Sequence, residues 1–246
     1  MDTELIQLLL PMTIISLACV VQGITGFGAG LVSMSLLPLI WTIPQAVGIL
    51  SPIGVILTIM LSYKLRSHVQ FDKIKPMFFA LPFGILLGLW LLIHWPNTWM
   101  KAILGFILVV YVLSSKRLTH TKMSEHPVPA ACAGFLGGVF SSAVGAAGPP
   151  ILIYATALGW ERDHFRANIQ VFFMGSAIST FIGLISQGLI NADTLPISAL
   201  CVPGMVVGGL VGNRLASHLP QEKFRQLVMM GLLAMGVLYL GQWLLS

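Results

Sequence analysis

Two glycine-rich runs interrupt otherwise apolar stretches of the sequence, and non-helical backbone at membrane depth is stable only where protein or a wet cavity surrounds it. The first spans Gly23 to Gly30 and the second Ser141 to Pro150, and each leads into a short apolar segment, 31–41 or 150–159. Backbone N–H groups at the start of a helix attract negatively charged oxygens, and glycine lets a ligand approach the backbone closely. The two runs are therefore the leading candidates for the functional site.

Polar side chains near these runs complete the predicted site. The amides Asn168 and Gln170 are included because a buried amide in a membrane helix needs a partner or a wet cavity. The predicted substrate-binding residues are Gln22, Gly23, Thr25, Gly26, Phe27, Gly28, Gly30, Ser51, Ser141, Ser142, Gly145, Gly148, Pro149, Tyr154, Arg166, Asn168 and Gln170. Ser33 is a further polar candidate beside the first run.

Each of these features also has a purely structural interpretation, which the sequence leaves open. The glycines could serve only to let helices pack closely. A serine or threonine commonly bonds to its own helix. Arg166 could be either a cation that attracts the anion to the mouth of its pathway or an anchor at the membrane surface.

The composition excludes a soluble protein. The chain has 246 residues, of which 57% are hydrophobic and 9% charged, and its mean hydropathy is +0.91. An ordinary soluble domain has about 25% charged residues. The net charge of +5 comes from short loops between apolar segments, so no nucleic-acid partner is predicted. No metal-ligating or nucleophilic constellation stands out, so we predict neither an enzyme nor a cofactor.

The apolar segments predict an all-α polytopic membrane protein with about eight long and two short membrane segments. Basic residues concentrate in the loops 64–75, 116–126 and 213–225, which are predicted to be cytoplasmic. Both termini are then predicted to be periplasmic. Aromatic residues near the outer ends of segments predict an outer belt made of Trp95, Trp99, Tyr239 and Trp243.

The second half of the chain echoes the first. A displacement of 118 positions lays Gly30 on Gly148, and one of 121 lays Asp72 on Asp193. We predict two inverted repeats, 1–115 and 128–246, joined by a cytoplasmic linker over 116–127. Each repeat is predicted to contain a Gly-rich broken helix or hairpin and three spanning helices. Inverted repeats with broken helices are typical of transporters, which hold the substrate at the repeat interface while the two halves rock around it.

These motifs resemble those of the sulfite exporter TauE/SafE family of membrane permeases. The residues that carry the resemblance are Gly26-Phe27-Gly28-Ala29-Gly30-Leu31, Gly137-Gly138-Val139-Phe140, Gly148-Pro149-Pro150 and Tyr154. The resemblance implies transport of sulfite, an organosulfonate or a related anion across a bacterial inner membrane. This chain has alanine at 146 and 147, where the second family motif is often richer in glycine, so the size of the pocket does not carry over.

We therefore predict a secondary permease for a sulfur-containing anion, held by the Gly-rich half-helix N-termini at the repeat interface. A permease for another small organic anion and an anion channel are the alternatives. The predicted partners are the small anion and membrane lipid, with coupling to protons or to the membrane potential. No Asp or Glu lies within a predicted span, which argues against carboxylate-based proton or sodium sites. A homodimer is left open.

Overall fold

The computed structural model describes residues 2–117, 126–215, 218 and 221–245. Within these residues the chain forms ten α-helices and no strand. They are α1 (Asp2–Thr25), α2 (Ala29–Leu36), α3 (Ile43–Leu65), α4 (Phe71–His94), α5 (Asn97–Arg117), α6 (Pro127–Val144), α7 (Gly148–Ala157), α8 (Arg162–Ser186), α9 (Thr194–Leu215) and α10 (Gln221–Leu244). Most of the predicted linker 116–127 lies outside the described residues.

The helix lengths confirm an all-α polytopic membrane protein. Seven of the described helices, α3–α6 and α8–α10, are long and apolar enough to cross a membrane. Helix α1 has 24 residues, whereas α2 and α7 have only 8 and 10. At 1.5 Å per residue, α2 and α7 extend about 12–15 Å, roughly half of a hydrocarbon core.

The breaks are narrower than the glycine-rich runs that predicted them. Only 26–28 and 145–147 are non-helical, three residues in each case, because the other glycines belong to flanking helices. Helix α6 continues to Val144 instead of ending near 140, since the hydroxyls of Ser141 and Ser142 both find hydrogen-bond partners. The two breaks are 119 positions apart in the chain. The alignment of the two halves by 118 positions, which paired Gly30 with Gly148, is therefore one residue too short.

The helix packing interleaves the two halves of the chain. The most extensive contacts pair α4 with α6, α1 with α9, α5 with α10 and α3 with α8, and every pair joins one half to the other. Glycine brings three of these pairs into backbone contact, and in the α5–α10 pair a methyl group built on Gly105 would lie 2.8 Å from the carbonyl oxygen of Gly236. A methyl group built on Gly84 would overlap the carbonyl oxygen of Phe135, and one built on Gly208 would overlap that of Ser16. Such close approach is how small residues join helices in membranes.

The helix pairing has the symmetry that two repeats would produce, although the repeat itself stays a prediction. If each helix of α1–α5 is exchanged with its counterpart in α6–α10, in chain order, the α1–α9 pair becomes the α6–α4 pair. The α3–α8 pair and the α5–α10 pair are each unchanged by this exchange. Equivalent residues also make equivalent bonds. Nδ1 of His94 lies 2.9 Å from the carbonyl oxygen of Trp90, and Nδ1 of His218 lies 3.0 Å from that of Arg214. The inversion of the repeats and their boundaries stay predictions.

One member of the predicted aromatic belt lies elsewhere. The three tryptophans of the belt cluster: the ring centroid of Trp99 lies 6.0 Å from that of Trp95 and 5.1 Å from that of Trp243. Tyr239, in contrast, is fully buried and donates a hydrogen bond of 2.8 Å to the carbonyl oxygen of Ser35. Its hydroxyl therefore links α10 to α2. The position of Tyr239 near the end of an apolar segment does not reveal this hydrogen bond.

Candidate functional site

A cavity of about 130 Å³ lies between the two breaks. It is lined from both sides, by the breaks with the first turns of α2 and α7, and by the unbroken helices α3 and α8. Eight of the predicted site residues line it, namely Gln22, Phe27, Gly28, Gly30, Ser51, Ser141, Gly145 and Gly148. The structure thus brings together residues that are 119 positions apart in the chain.

The first break presents the start of α2 to the cavity. Gly28, with φ of 105°, is the N-cap of α2, and a side chain there would have to adopt a conformation that L-residues rarely take. Oε1 of Gln22 accepts the Ala29 N–H at 3.0 Å, which uses one donor of the first turn. The N–H groups of Gly30 and Leu31 also belong to that turn, where the helix itself offers no acceptor.

The second break presents the start of α7. Gly145, with φ of 64°, ends α6, and the N–H groups of Gly145 and Ala146 bond back to the carbonyls of Ser141 and Phe140. These bonds form the helix-ending motif that glycine favours. The next two N–H groups, those of Ala147 and Gly148, precede two prolines that have no N–H, so they are the ones placed to meet a ligand.

The two breaks touch each other at the cavity. A methyl group built on Gly30 would lie 3.0 Å from the carbonyl oxygen of Gly145, tighter than an ordinary contact. One built on Gly148 would lie 3.5 Å from side-chain atoms of Leu31 and Leu152, an ordinary van der Waals distance. The contact between the breaks therefore depends on the missing side chain at Gly30 more than at Gly148.

Side-chain hydroxyls add to the polar lining. Oγ of Ser141 and Oγ1 of Thr180 are hydrogen-bonded at 2.9 Å across the cavity wall. The hydroxyls of Ser33, Ser51 and Ser176 are buried and have no hydrogen-bond partner among the described residues. Thr180 and Ser176 were missed by the sequence analysis, and the only signal for them was a hydroxyl residue inside an apolar span.

Three predicted residues lie off the cavity and serve helix packing or the turn itself. A methyl group built on Gly23 would lie 2.8 Å from the backbone of Gly212, in α9. Ser142 donates to the carbonyls of Ile85 and Gly138, each at 3.0 Å. Oγ1 of Thr25 donates to the carbonyl of Val21 at 2.9 Å and to that of Phe27 at 2.6 Å.

Three further predicted residues form a polar cluster beside the first break. Nε2 of Gln170 donates to the carbonyl oxygen of Gly26 at 3.1 Å. The Arg166 side chain lies against the same glycine, and its Nε has no hydrogen-bond partner among the described residues. None of the three lines the cavity. Gln170 and Arg166 therefore contact the first break at Gly26, outside the cavity.

The remaining predicted residues are also outside the cavity. The fully buried Asn168 accepts the backbone N–H of Gln70 at 2.8 Å and so ties α8 to the start of α4. Pro149 is buried in the first turn of α7, where a missing N–H removes no helical bond. The buried ring of Tyr154 packs edge-on against Trp160, with centroids 6.1 Å apart.

No charged side chain is among the residues that the structure assigns to the cavity wall. The polar groups there are hydroxyls, the Gln22 amide and the backbone of the breaks, between apolar side chains such as Leu50, Leu57 and Phe173. Oriented dipoles stabilise a negative charge in a place where water is excluded, without the desolvation penalty of a buried cation. The cavity can therefore hold an anion that carries an apolar part.

Comparison with known proteins gives two matches. A sequence model of the family described as "Sulfite exporter TauE/SafE" matches residues 12–239. A curated protein of Comamonas testosteroni, named "Probable inner membrane transporter protein TsaS", is 27% identical over 159 residues. That match covers 63% of this chain and 65% of the relative, so it spans less than two thirds of either protein. No solved structure matches the chain.

Proposed function

This chain belongs to the sulfite exporter TauE/SafE family of membrane transporters, and from that premise we propose that it is a secondary permease for a sulfur-containing anion, sulfite or an organosulfonate. The proposed location is the bacterial inner membrane, as in the name of the Comamonas testosteroni relative. The anion would cross between the two repeats, held for part of its path in the cavity between the breaks.

The observation that supports this proposal best is that both breaks open onto one cavity. Each break is followed by a short helix, and the starts of α2 and α7 both line that cavity. A helix N-terminus stabilises a nearby negative charge by about 0.3–1 kcal/mol when exposed and up to about 2 kcal/mol when partly buried. Two such termini favour an anion while leaving its binding weak enough to be reversible.

Flux measured in proteoliposomes tests the proposed activity. Vesicles that contain the purified protein are loaded with unlabelled sulfite or benzenesulfonate, and uptake of the same labelled anion is followed with and without an imposed pH gradient. A carrier gives saturable uptake that is accelerated by anion on the opposite side, whereas a channel gives no such counterflow. Absence of flux for both anions, from protein that is inserted and folded, would contradict the proposed substrate class.

A native cysteine allows the proposed place of binding to be tested separately. Cys19 lines the cavity and is 2% exposed, Cys201 is fully buried and Cys132 is exposed. In a Cys132→Ala, Cys201→Ala background, a small sulfonated methanethiosulfonate reagent should modify Cys19 slowly, because only the thiolate reacts and burial disfavours it, so the reaction is followed over long incubations at alkaline pH. Substrate at ten times its dissociation constant should slow that modification about 11-fold, because only empty sites react. An unchanged rate at saturating substrate would place the anion elsewhere.

A further inference from the structure

Three serines of the cavity wall have hydroxyls that lack hydrogen-bond partners within the described part of the chain. They are Ser33 on α2, Ser51 on α3 and Ser176 on α8, with exposed fractions of 1%, 9% and 1%. All three residues line the cavity between the breaks. Each comes from a different helix, so the three serine residues border one space from three elements of the fold.

Unpaired hydroxyls are unusual in helices, because serine can bond to a carbonyl three or four residues earlier in its own helix. Two other buried serines of this chain do so, whereas Ser62, outside the cavity, is also buried without a partner among the described residues. Ser35 donates to the carbonyl of Val32 at 2.8 Å, and Ser198 donates to that of Thr194 at 3.0 Å. Burying an unpaired polar group is unfavourable, so three such groups around one cavity point to a partner that is not part of the protein.

The chemistry of that partner follows from what else faces the cavity. Oε1 of Gln22 is already occupied by the N–H of Ala29, which leaves the donating end of this amide. The N–H groups at the starts of α2 and α7 are donors as well. No carboxylate is among the lining residues. A hydroxyl in such a setting serves as a donor to the ligand, and the ligand is an acceptor with several oxygens.

We propose that Ser33, Ser51 and Ser176 each donate a hydrogen bond to a different oxygen of a three-oxygen anionic head group. Sulfite and sulfonates present three oxygens on a pyramid, which suits donors that come from three helices. A carboxylate presents two oxygens in a plane and leaves one hydroxyl unpaired. These serines therefore determine specificity for sulfur oxyanions over carboxylates. The inference rests on the proposed function for the presence of the anion in this cavity.

The test compares a sulfonate with a carboxylate of the same carbon skeleton. Benzenesulfonate and benzoate are titrated into the purified wild-type protein and into Ser33→Ala, Ser51→Ala and Ser176→Ala, and dissociation constants are measured by calorimetry. A hydrogen bond to a charged group changes affinity by about 10–100-fold. Each alanine variant should lose about that factor for benzenesulfonate and much less for benzoate, so the ratio of the two constants should fall.

Ser142→Ala provides the matched control. Ser142 is as buried as the three serines, but its hydroxyl is paired with the carbonyls of Ile85 and Gly138 and lies outside the cavity. This variant should keep the wild-type ratio of dissociation constants. A ratio that falls as far in Ser142→Ala as in the three cavity variants would contradict the assignment, because the change would then reflect loosened packing.

Failure of this inference differs from failure of the proposed function. If the wild type transports a sulfur anion and the three cavity variants keep the wild-type ratio, the serines are not head-group ligands and the inference is wrong while the carrier stands. If the wild type binds benzoate more tightly than benzenesulfonate and moves no sulfur anion, both are wrong. A fall in the ratio in the three variants alone supports the assignment.

Discussion

Replacing glycine by alanine should lower the transport efficiency at the start of α2, at Gly28, and leave it nearly unchanged at the start of α7, at Gly148. A methyl group built on Gly28 has no atom within 4 Å, but the residue adopts φ of 105°. At Gly148 the backbone imposes no such strain, and the methyl group would lie 3.5 Å from side-chain atoms of Leu31 and Leu152. Gly28→Ala is therefore opposed by backbone conformation alone, and Gly148→Ala is opposed by neither strain nor overlap.

The size of the effect follows from the strain. A left-handed conformation costs an L-residue about 1–2 kcal/mol. That free energy lowers the ratio of the native break to its alternative conformations by a factor of about 5–30. Where this ratio limits anion binding, the transport efficiency of Gly28→Ala should fall by up to the same factor. Alanine at Gly148 should alter the efficiency by less than about threefold, since its free-energy change is below about 0.7 kcal/mol.

The assay is initial uptake in proteoliposomes at several substrate concentrations, with equal amounts of wild type, Gly28→Ala and Gly148→Ala. Size-exclusion profiles and thermal unfolding midpoints establish that each variant is folded before its flux is compared. Equal losses at the two positions would refute the reasoning, because the site would then need an absent side chain at both helix starts. Wild-type transport by Gly28→Ala would refute it as well.

Three further substitutions test packing and topology. Asn168→Ala should lower the free energy of unfolding by about 1–3 kcal/mol, because it leaves the Gln70 N–H without its acceptor, while the concentration dependence of flux stays unchanged. Gly208→Val should separate α9 from the carbonyl of Ser16 and lower the thermal stability, and wild-type stability would contradict the packing argument. A cysteine at Ala192, in a background without the native cysteines, should be labelled only from the periplasmic side, and labelling only from the cytoplasm would overturn the predicted topology.

The sequence was sufficient to predict the helices because the bilayer constrains segment length and composition strongly. All ten predicted segments correspond to helices of the structure, including the two short ones. The limits of the breaks were harder to predict. Glycine and serine are compatible with a membrane helix when neighbours satisfy their backbone and hydroxyl groups, and those neighbours, such as Ile85 for Ser142, are distant in the sequence.

The lining of the cavity was only partly predictable for a related reason. Gly28 and Gly148 follow from the motif, and the structure places both on the cavity wall. Whether a hydroxyl faces a cavity or its own helix depends on a side-chain rotamer, and a single sequence carries no information on that choice. Ser176 and Ser142 look alike in the sequence, but one lines the cavity without a partner and the other is tied to two carbonyls.

The interleaved packing has a mechanical consequence. If the two halves of the chain swung apart as two blocks, the motion would separate four helix pairs at once, three of them in backbone contact at Gly84, Gly208 and Gly105. We therefore expect that the covalent halves are not the moving parts. We expect each rigid unit to combine helices of both halves, with α1 travelling with α9 and α4 with α6. The rigid units would then slide past each other at surfaces where only side chains are in contact. The order of the helices along the chain does not show which helices move together.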